Sequence, residues 1–415
     1  MLKTAIIGIT GYGKEHLRLL LHGYEKQLMQ PVAAVCVNPE EAERELASLE
    51  KTGCRIYRSV AQLWEQESGH IDLCMIPSPI GTHYTFARQA VEHGSHVFLE
   101  KPACGTVEEV HDLMAFAKAR GREICMGFQD RYSEQVQHLK CRLLAGDIGK
   151  ILSLRGYGVW PRPRSYYERN NWAGKLKNNG NWVLDSPINN AMAHFLMLML
   201  YWAGEKVDSF ARPHCLQGDL YRIQDIESFD TASLRLGTEE GIPVYYAVTH
   251  SGRRTVQPLL RVDGECGFVE WTHAGKFKIK TEMGLEVHDY TALSTIREHM
   301  IENVCAWVMS HTGKVVPIEE ALIHTRIVNG LHQAFPIHAM PPEDIRRQGP
   351  EEKSFAYLPG LDEDMRQAHA TENLLCELKP DTYPARPGTF SLKDYTSFEG
   401  TYADREPSFS KGMSS

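Results

Sequence analysis

The chain lacks the marks of several protein classes. It has no excess of basic residues: across 415 residues the formal charge is −8, whereas a nucleic-acid binder usually carries a basic face. It has no long apolar run. The longest, 195–203, falls far short of the roughly 20 residues that a membrane-spanning helix needs. Its ten cysteines are scattered from Cys36 to Cys376, with no C-x-x-C pair and no histidine-rich cluster beside them. Neither a disulfide framework nor a metal site is expected, and thiols used this way suit a reducing cytoplasm. No basic-then-apolar leader precedes Thr4-Ala5-Ile6-Ile7-Gly8, which already reads as a strand. Internal repeats are absent too.

What is present is ordinary soluble-protein composition, 42% hydrophobic and 24% charged. The length exceeds what one core fills. Three segments are expected: 1–125, 126–340 and an extension, 341–415.

The first segment alternates strands and helices, which predicts a Rossmann-type, doubly wound parallel sheet. Ala5-Ile6-Ile7 runs into Gly8-Ile9-Thr10-Gly11-Tyr12-Gly13 and then into a helix with Leu17, Leu20 and Leu21 on one face. Strand, glycine turn and helix bring free backbone N–H groups and a helix dipole to one place, a geometry that holds a pyrophosphate. The spacing G-x-x-G-x-G is not the commoner G-x-G-x-x-G. A second strand, 32–37, ends at Asn38, with Glu40 close behind. A fold that prefers NAD usually keeps an acid there for the ribose hydroxyls. No arginine follows to take a 2′-phosphate, so NAD is expected, with NADP the alternative. A strand at 71–76 ends in Pro77-Ser78-Pro79-Ile80-Gly81-Thr82-His83, whose prolines fix a loop on the same side of the sheet. A last strand carries Glu100, Lys101 and Pro102 at its C-terminal end, where ligands bind in open α/β sheets.

The glycine turn, "IPSPIGTHY", "GSHVFLEKP" and "GFQDRYS", in this order, resemble the glucose–fructose oxidoreductase / inositol dehydrogenase (Gfo/Idh/MocA) family over about residues 4–340. The resemblance implies that Lys101 lies beside the nicotinamide and bonds the substrate hydroxyl that is oxidised. It also implies that Pro79, Thr82 and His83 line the cofactor, with Gly8, Thr10, Gly11, Tyr12, Gly13, Asn38, Pro77 and Glu100 completing its site.

The second segment is expected to be an α+β domain with a large, mostly antiparallel open sheet, since short strands between 231 and 271 follow one another at hairpin spacing. It opens at 126–132, which includes Arg131. The loop 160–172 holds Trp160, Arg164, Tyr167 and Trp172. Flat aromatics with arginine and asparagine suit a sugar, and clustered arginines an acidic sugar. The same composition suits an interdomain or subunit contact equally well. Asp185-Ser186-Pro187 predicts a helix start, which sets Asn190 and His194 four apart on one face. The family pattern on this helix is D-x-x-x-H, with the histidine as general base. Here His194 matches and Asn190 replaces the acid, a charge that Asp185 could restore only if its loop folds back. His250, at a strand end, is a further substrate-contact candidate.

Helices at 296–309 and 317–335 are expected to pack back on the first domain. The extension offers no chemistry; it could cover the cleft or a partner subunit, and 408–415 is expected to be frayed. These readings converge on a cytoplasmic NAD(P)-dependent oxidoreductase. It would act on a sugar, cyclitol or glycoside as a homo-oligomer (dimer or tetramer) built through the C-terminal sheet, with no nucleic-acid or membrane partner. An NAD-dependent glycosidase working through a transient keto-sugar and a non-catalytic cofactor-binding sensor are the alternatives.

Overall fold

A computed structural model describes residues 1–273, 276–289 and 293–405; the expected frayed stretch 408–415 lies outside them. In chain order the elements are β1 (Leu2–Ile7), α1 (Gly13–Glu25), β2 (Met29–Val35), α2 (Glu43–Glu50), β3 (Arg55–Tyr57), α3 (Val60–Glu67), β4 (Leu73–Ile76), α4 (His83–Glu92), β5 (His96–Leu99), α5 (Val107–Ala119), β6 (Ile124–Met126) and α6 (Glu134–Leu144). There follow β7 (Ile151–Val159), α7 (Arg164–Glu168), the small hairpin β8 (Lys177–Asn178) and β9 (Asn181–Trp182), α8 (Ala193–Ala203), β10 (Pro213–Arg222), β11 (Thr231–Thr238), β12 (Val244–Thr249), β13 (Val256–Gly264), β14 (Phe268–Thr272), β15 (Lys276–Thr281) and β16 (Gly284–Asp289). The remainder is α9 (Leu293–Ser310), α10 (Ile318–Ala334), β17 (Ile337–Ala339), β18 (Arg346–Gln348), β19 (Phe355–Tyr357), α11 (Leu361–Thr371), α12 (Leu375–Leu378), β20 (Phe390–Ser391) and α13 (Tyr402–Arg405).

The first six strands pair in the order β3-β2-β1-β4-β5-β6, every neighbour parallel. β4 is buried along its whole length, as a strand covered on both faces must be. The order reverses between β1 and β4. The crevice beyond the carboxyl ends of those two strands is the topological switch point, and the glycine turn and the 77–83 loop leave from it.

The chain forms two compact units, and their limits differ from the expected 1–125, 126–340 and 341–415. The first unit comprises 1–105, 109–139 and the described part of 291–322; the second comprises 106–108 and the described parts of 140–290 and 323–415. Contacts distant in sequence cause the difference. α9 lies along α1 through Arg18–Glu298 (2.6 Å) and His22–Glu302 (3.0 Å). The Met126 amide donates to Val316 O (2.8 Å). α9 thus packs on the first domain as expected, whereas α10 from Ile323 onward belongs to the second unit.

In that second unit the large sheet runs β16-β15-β14-β13-β7-β12-β11-β10-β17, with β20 beside β10. Only β7–β12 and β10–β17 are parallel. α8 lies on one face, where Tyr246 Oη donates to Met192 O (2.9 Å). The other face is covered by the extension. Tyr157, Tyr221, Tyr245 and Ala247 of the sheet share a core with Leu358, Leu361, Met365, Leu374, Leu375 and Tyr383. A buried carboxylate fixes the attachment. Asp219 accepts from the amides of Ser233 (3.1 Å) and Cys376 (2.8 Å) and from the Ser233 hydroxyl, while the Leu375 amide donates to Ser233 Oγ (2.9 Å). The inner strands are therefore covered on both faces by the chain itself. Among the described residues of the outer strands β14–β16, Lys278, Lys280, Leu285 and Val287 are exposed.

Candidate functional site

The turn after β1 is built for close approach. Gly8 has φ +99°, and a Cβ on Gly13 would stand 2.4 Å from the Gly8 carbonyl oxygen, so α1 can begin there only with glycine. Gly13 N–H is used within the turn, donating to Thr10 O (2.8 Å). The amides of Thr10, Gly11 and Tyr12 make no hydrogen bond among the described residues. Free donors at the N-terminus of a 13-residue helix form an anion site, and the missing Cβ leaves the close backbone approach a diphosphate needs. These residues fit a dinucleotide. Asn38 stands exposed beyond β2 and donates to Glu41 Oε1 (3.3 Å).

The loop after β4 is locked by its hydroxyls: Ser78 Oγ lies 2.7 Å from Thr82 Oγ1, which in turn donates to Pro79 O (2.7 Å). Pro77 is buried and Pro79 exposed. His83 is buried rather than open to a ligand, its ring nitrogens 2.8 Å from Pro102 O and from Ser78 O. It brackets the loops that follow β4 and β5. Burial lowers its pKa, against the pull of those two carbonyls.

Glu100 is 4% exposed. His16 Nε2 meets its Oε1 at 2.9 Å, and the Lys101 amide donates to its Oε2 (3.1 Å). Burial opposes its ionisation, but the hydrogen bond and charge of His16, with the charge and amide of Lys101, hold it below the usual carboxylate range. Its carboxylate also stands where a Gly127 side chain would be, 2.6 Å from the Cβ position. Glu100 thus orients the half-buried Lys101 from beneath. Sequence reasoning missed His16, although its place one turn into α1 faces the sheet.

Arg131 is buried in the first unit beside Tyr132. Trp160, Arg164, Tyr167, Trp172, Asp185, Asn190, His194 and His250 all belong to the second. Of these, Tyr167, Asp185 and His250 line one pocket, together with Tyr166, Ser186 and Phe229. His250 Nδ1 lies 2.9 Å from Trp160 O. Burial, then the charge of Arg162, depress its pKa to about 3, so the ring is neutral, donates through Nδ1 and leaves Nε2 as an acceptor.

The expected helix from Ser186 starts later, at Ala193. Asn189 Nδ2 bonds back to Val183 O (2.9 Å) and Leu184 O (3.1 Å), and Asn190 Nδ2 donates to Asp185 Oδ1 (3.0 Å). Such backward bonds compete with helix continuation. Asn190 is therefore in the turns before α8, and His194, 9% exposed, is in its first turn. The loop does fold back: Asp185, with Gly174 N–H on Oδ2 (2.7 Å), brings a buried carboxylate to Asn190.

Arg164 is exposed and tied to Glu168 (2.5 Å). Trp160 Nε1 donates to Gln257 Oε1 (3.3 Å). Trp172 has the Arg169 guanidinium 5.7 Å from its ring. Below the pocket, Asp230 accepts from the amides of Ile223 (2.8 Å) and Gln224 (2.7 Å) and from Thr231 Oγ1 (2.9 Å). Its backbone carbonyl takes the His250 amide (2.8 Å). Nothing in the local sequence singles Asp230 out. Among the described residues no group of three or more His, Cys, Asp or Glu could hold a metal, and no helix is long and apolar enough to cross a membrane.

Residues 2–128 match the family described as "Oxidoreductase family, NAD-binding Rossmann fold" (GFO_IDH_MocA). The chain is 28% identical over 198 residues to an inositol 2-dehydrogenase of Klebsiella pneumoniae, covering 47% of this chain and 52% of that protein. To a glucose-6-phosphate 3-dehydrogenase of Bacillus subtilis it is 30% identical over 156 residues, 37% and 41% of the two chains. It spans about half the length, or less, of the curated relatives it matches. The WlbA dehydrogenase of Bordetella pertussis, solved with NADH and UDP-GlcNAcA, shares the fold at TM-score 0.65 and 19% identity, over 79% of this chain and 94% of that one. The family match is thus confined to the first domain, residues 2–128 of 415.

Proposed function

We propose that the chain is an NAD-dependent oxidoreductase that moves a hydride between the nicotinamide cofactor and a hydroxyl-bearing carbon of a sugar or cyclitol. The observation that carries this reading is the turn after β1, with three unengaged amides at a helix N-terminus and no room for a Cβ at Gly13. When bound, NAD supplies the hydride acceptor. Lys101, on the turn that Glu100 and His83 hold in place, stabilises the oxyanion that develops on the substrate oxygen. His194 takes the hydroxyl proton. Asn190 donates its amide N–H to Asp185. Asp185 supplies the negative charge that the family pattern places at position 190, which weighs against a non-catalytic sensor. All ten cysteines are free thiols, which suits a cytoplasmic enzyme. Assembly with further copies is part of the proposal, through the exposed residues of β14–β16.

The test is NAD binding, followed by a panel of sugars, cyclitols and glycosides monitored by nicotinamide absorbance and by released aglycone. Net NADH formation is expected, and Lys101→Ala or His194→Ala should lower the rate by about 10²–10⁴-fold. Aglycone release without net cofactor change would mark a glycosidase. Failure to bind NAD would refute the proposal.

A further inference from the structure

Beneath Lys101 two buried groups meet in a pairing that packing does not require. His16, the fourth residue of α1, is fully buried, its ring stacked on Phe98 of β5 at 5.2 Å, with the Tyr12 ring edge-on at 5.7 Å. An apolar side chain would fill that place at less cost, since exchanging a buried ion pair for apolar residues of similar volume is often neutral or stabilising. The ring makes one hydrogen bond: Nε2 meets Glu100 Oε1 at 2.9 Å, while the buried Nδ1 has no partner among the described residues. Gly127 keeps the space for the carboxylate, because a Cβ there would stand 2.6 Å from the same oxygen. The other oxygen, Oε2, takes the Lys101 amide (3.1 Å).

We propose that His16 is a positioning residue for Lys101: from α1 it fixes the Glu100 carboxylate, and the carboxylate fixes the backbone of the lysine. The proposal rests on the oxidoreductase reading for what Lys101 does, and adds the residue that keeps it in place. On the lysine's other side the Pro102 carbonyl lies 2.8 Å from His83 Nδ1, so Lys101 stands between two backbone positions that are each tied to a histidine. A side chain rooted in this way loses less freedom when it meets a substrate oxygen. The helix that carries His16 begins at the glycine turn, so the element that would hold the pyrophosphate also steadies the lysine. Burial opposes ionisation of Glu100, and the hydrogen bond and charge of His16 stand first among the influences that overcome it. The same contact therefore governs both the place and the charge of the carboxylate.

The experiment is carbon-13 NMR of the full chain labelled at its glutamate carboxyls, with the Glu100 signal assigned from E100Q, together with deuterium exchange at the Lys101 amide read by mass spectrometry. H16L removes the donor and keeps the bulk, H16Q keeps a donor at the reach of Nε2, and G127A displaces the carboxylate while leaving the His16 ring unaltered. In the unaltered chain Glu100 should titrate below the usual carboxylate range; in H16L it should titrate above it, as a buried carboxyl without its donor does. H16L and G127A should each speed exchange at the Lys101 amide by at least about tenfold, the range for one lost hydrogen bond to a charged acceptor. H16Q should keep it within about threefold of the unaltered chain. The other titratable groups acting on Glu100, namely Tyr12 of α1, Lys101, His83 of α4 and Tyr132 in the turn after β6, are the same in all these chains and cancel. A histidine that serves packing alone would give H16L and H16Q equal effects and leave Lys101 exchange in G127A unmoved. Either result, or a Glu100 titration that H16L does not shift, would overturn the proposal, and G127A decides it should H16L fail to fold. NAD binding by calorimetry is read separately: its absence in the unaltered chain would overturn the oxidoreductase reading and not the bonds beneath Lys101.

Discussion

Asp230→Asn is expected to make the protein more stable at neutral pH and to leave it unchanged in acid. Burial drives the Asp230 carboxyl from 3.8 up to about 6, against the hydrogen bonds from Gln224, Ile223 and Thr231. A raised acid binds its proton more tightly in the folded chain than in the unfolded one. Stability from this group is therefore fully present below the unfolded value and falls as pH rises toward the folded value. A rise of about two pKa units at about 1.4 kcal/mol each gives roughly 3 kcal/mol lost across that window. Asparagine cannot ionise. Its oxygen can accept from the Ile223 and Gln224 amides, and its N–H₂ can donate to Thr231 Oγ1, which can pass its own proton to Thr249 Oγ1, 2.7 Å away. Urea unfolding of both proteins between about pH 4 and pH 7 measures the difference directly, since every other titrating group cancels. The gap should open by roughly 3 kcal/mol in favour of the variant as pH rises. Parallel stabilities across the range would refute the reasoning.

Three further outcomes follow from the geometry. Gly13→Ala should cost NAD affinity at least about tenfold with the far-ultraviolet circular dichroism retained, because the methyl group meets a backbone oxygen that cannot turn away; undiminished affinity by calorimetry would contradict the account of the turn. Asn190→Asp should set a second carboxylate against Asp185 and raise the pKa of one of the pair, visible as a new limb in the pH–rate profile on its acidic side. Asp219→Ala should leave the buried Ser233 and Cys376 amides without their acceptor and destabilise the chain by about 2–4 kcal/mol, with faster proteolysis within 361–378, whereas Asp219→Asn should be much milder.

The alternation of the first domain was legible because a buried parallel strand, a glycine turn and an amphipathic helix each announce themselves over a few neighbouring residues. Val97-Phe98-Leu99 before Glu100-Lys101 and the turn at Gly8–Gly13 are of this kind. What escaped depends on residues far apart in sequence. That α9 packs on the first domain was expected, but the pairs that fasten it, Arg18–Glu298 and His22–Glu302, no periodicity reveals. The extension is fastened by a polar knot at Asp219 as well as by apolar packing, so its polar composition gave no sign of burial. The helix start at Ser186 was misplaced for a local reason: a serine-proline start signal was present, but two asparagines bonded backwards. In the loop 160–172, Arg164 drew notice from composition, while its partner Glu168 and the stacked Arg162 and Arg169 emerge only in three dimensions.

The discontinuity of both units bears on how the chain is made. The first domain's α1 acquires its partner α9 only after strands β7 and β10–β16 of the large sheet have been synthesised, and that sheet gains its second cover only when 355–383 emerge. Tyr221, Tyr245 and Ala247 thus wait, uncovered, through translation of more than a hundred further residues. Strand surfaces exposed in this way invite association between nascent chains. Slower synthesis or a chaperone acting late, near the ribosome exit, should therefore raise the yield of folded protein more than the same help given early.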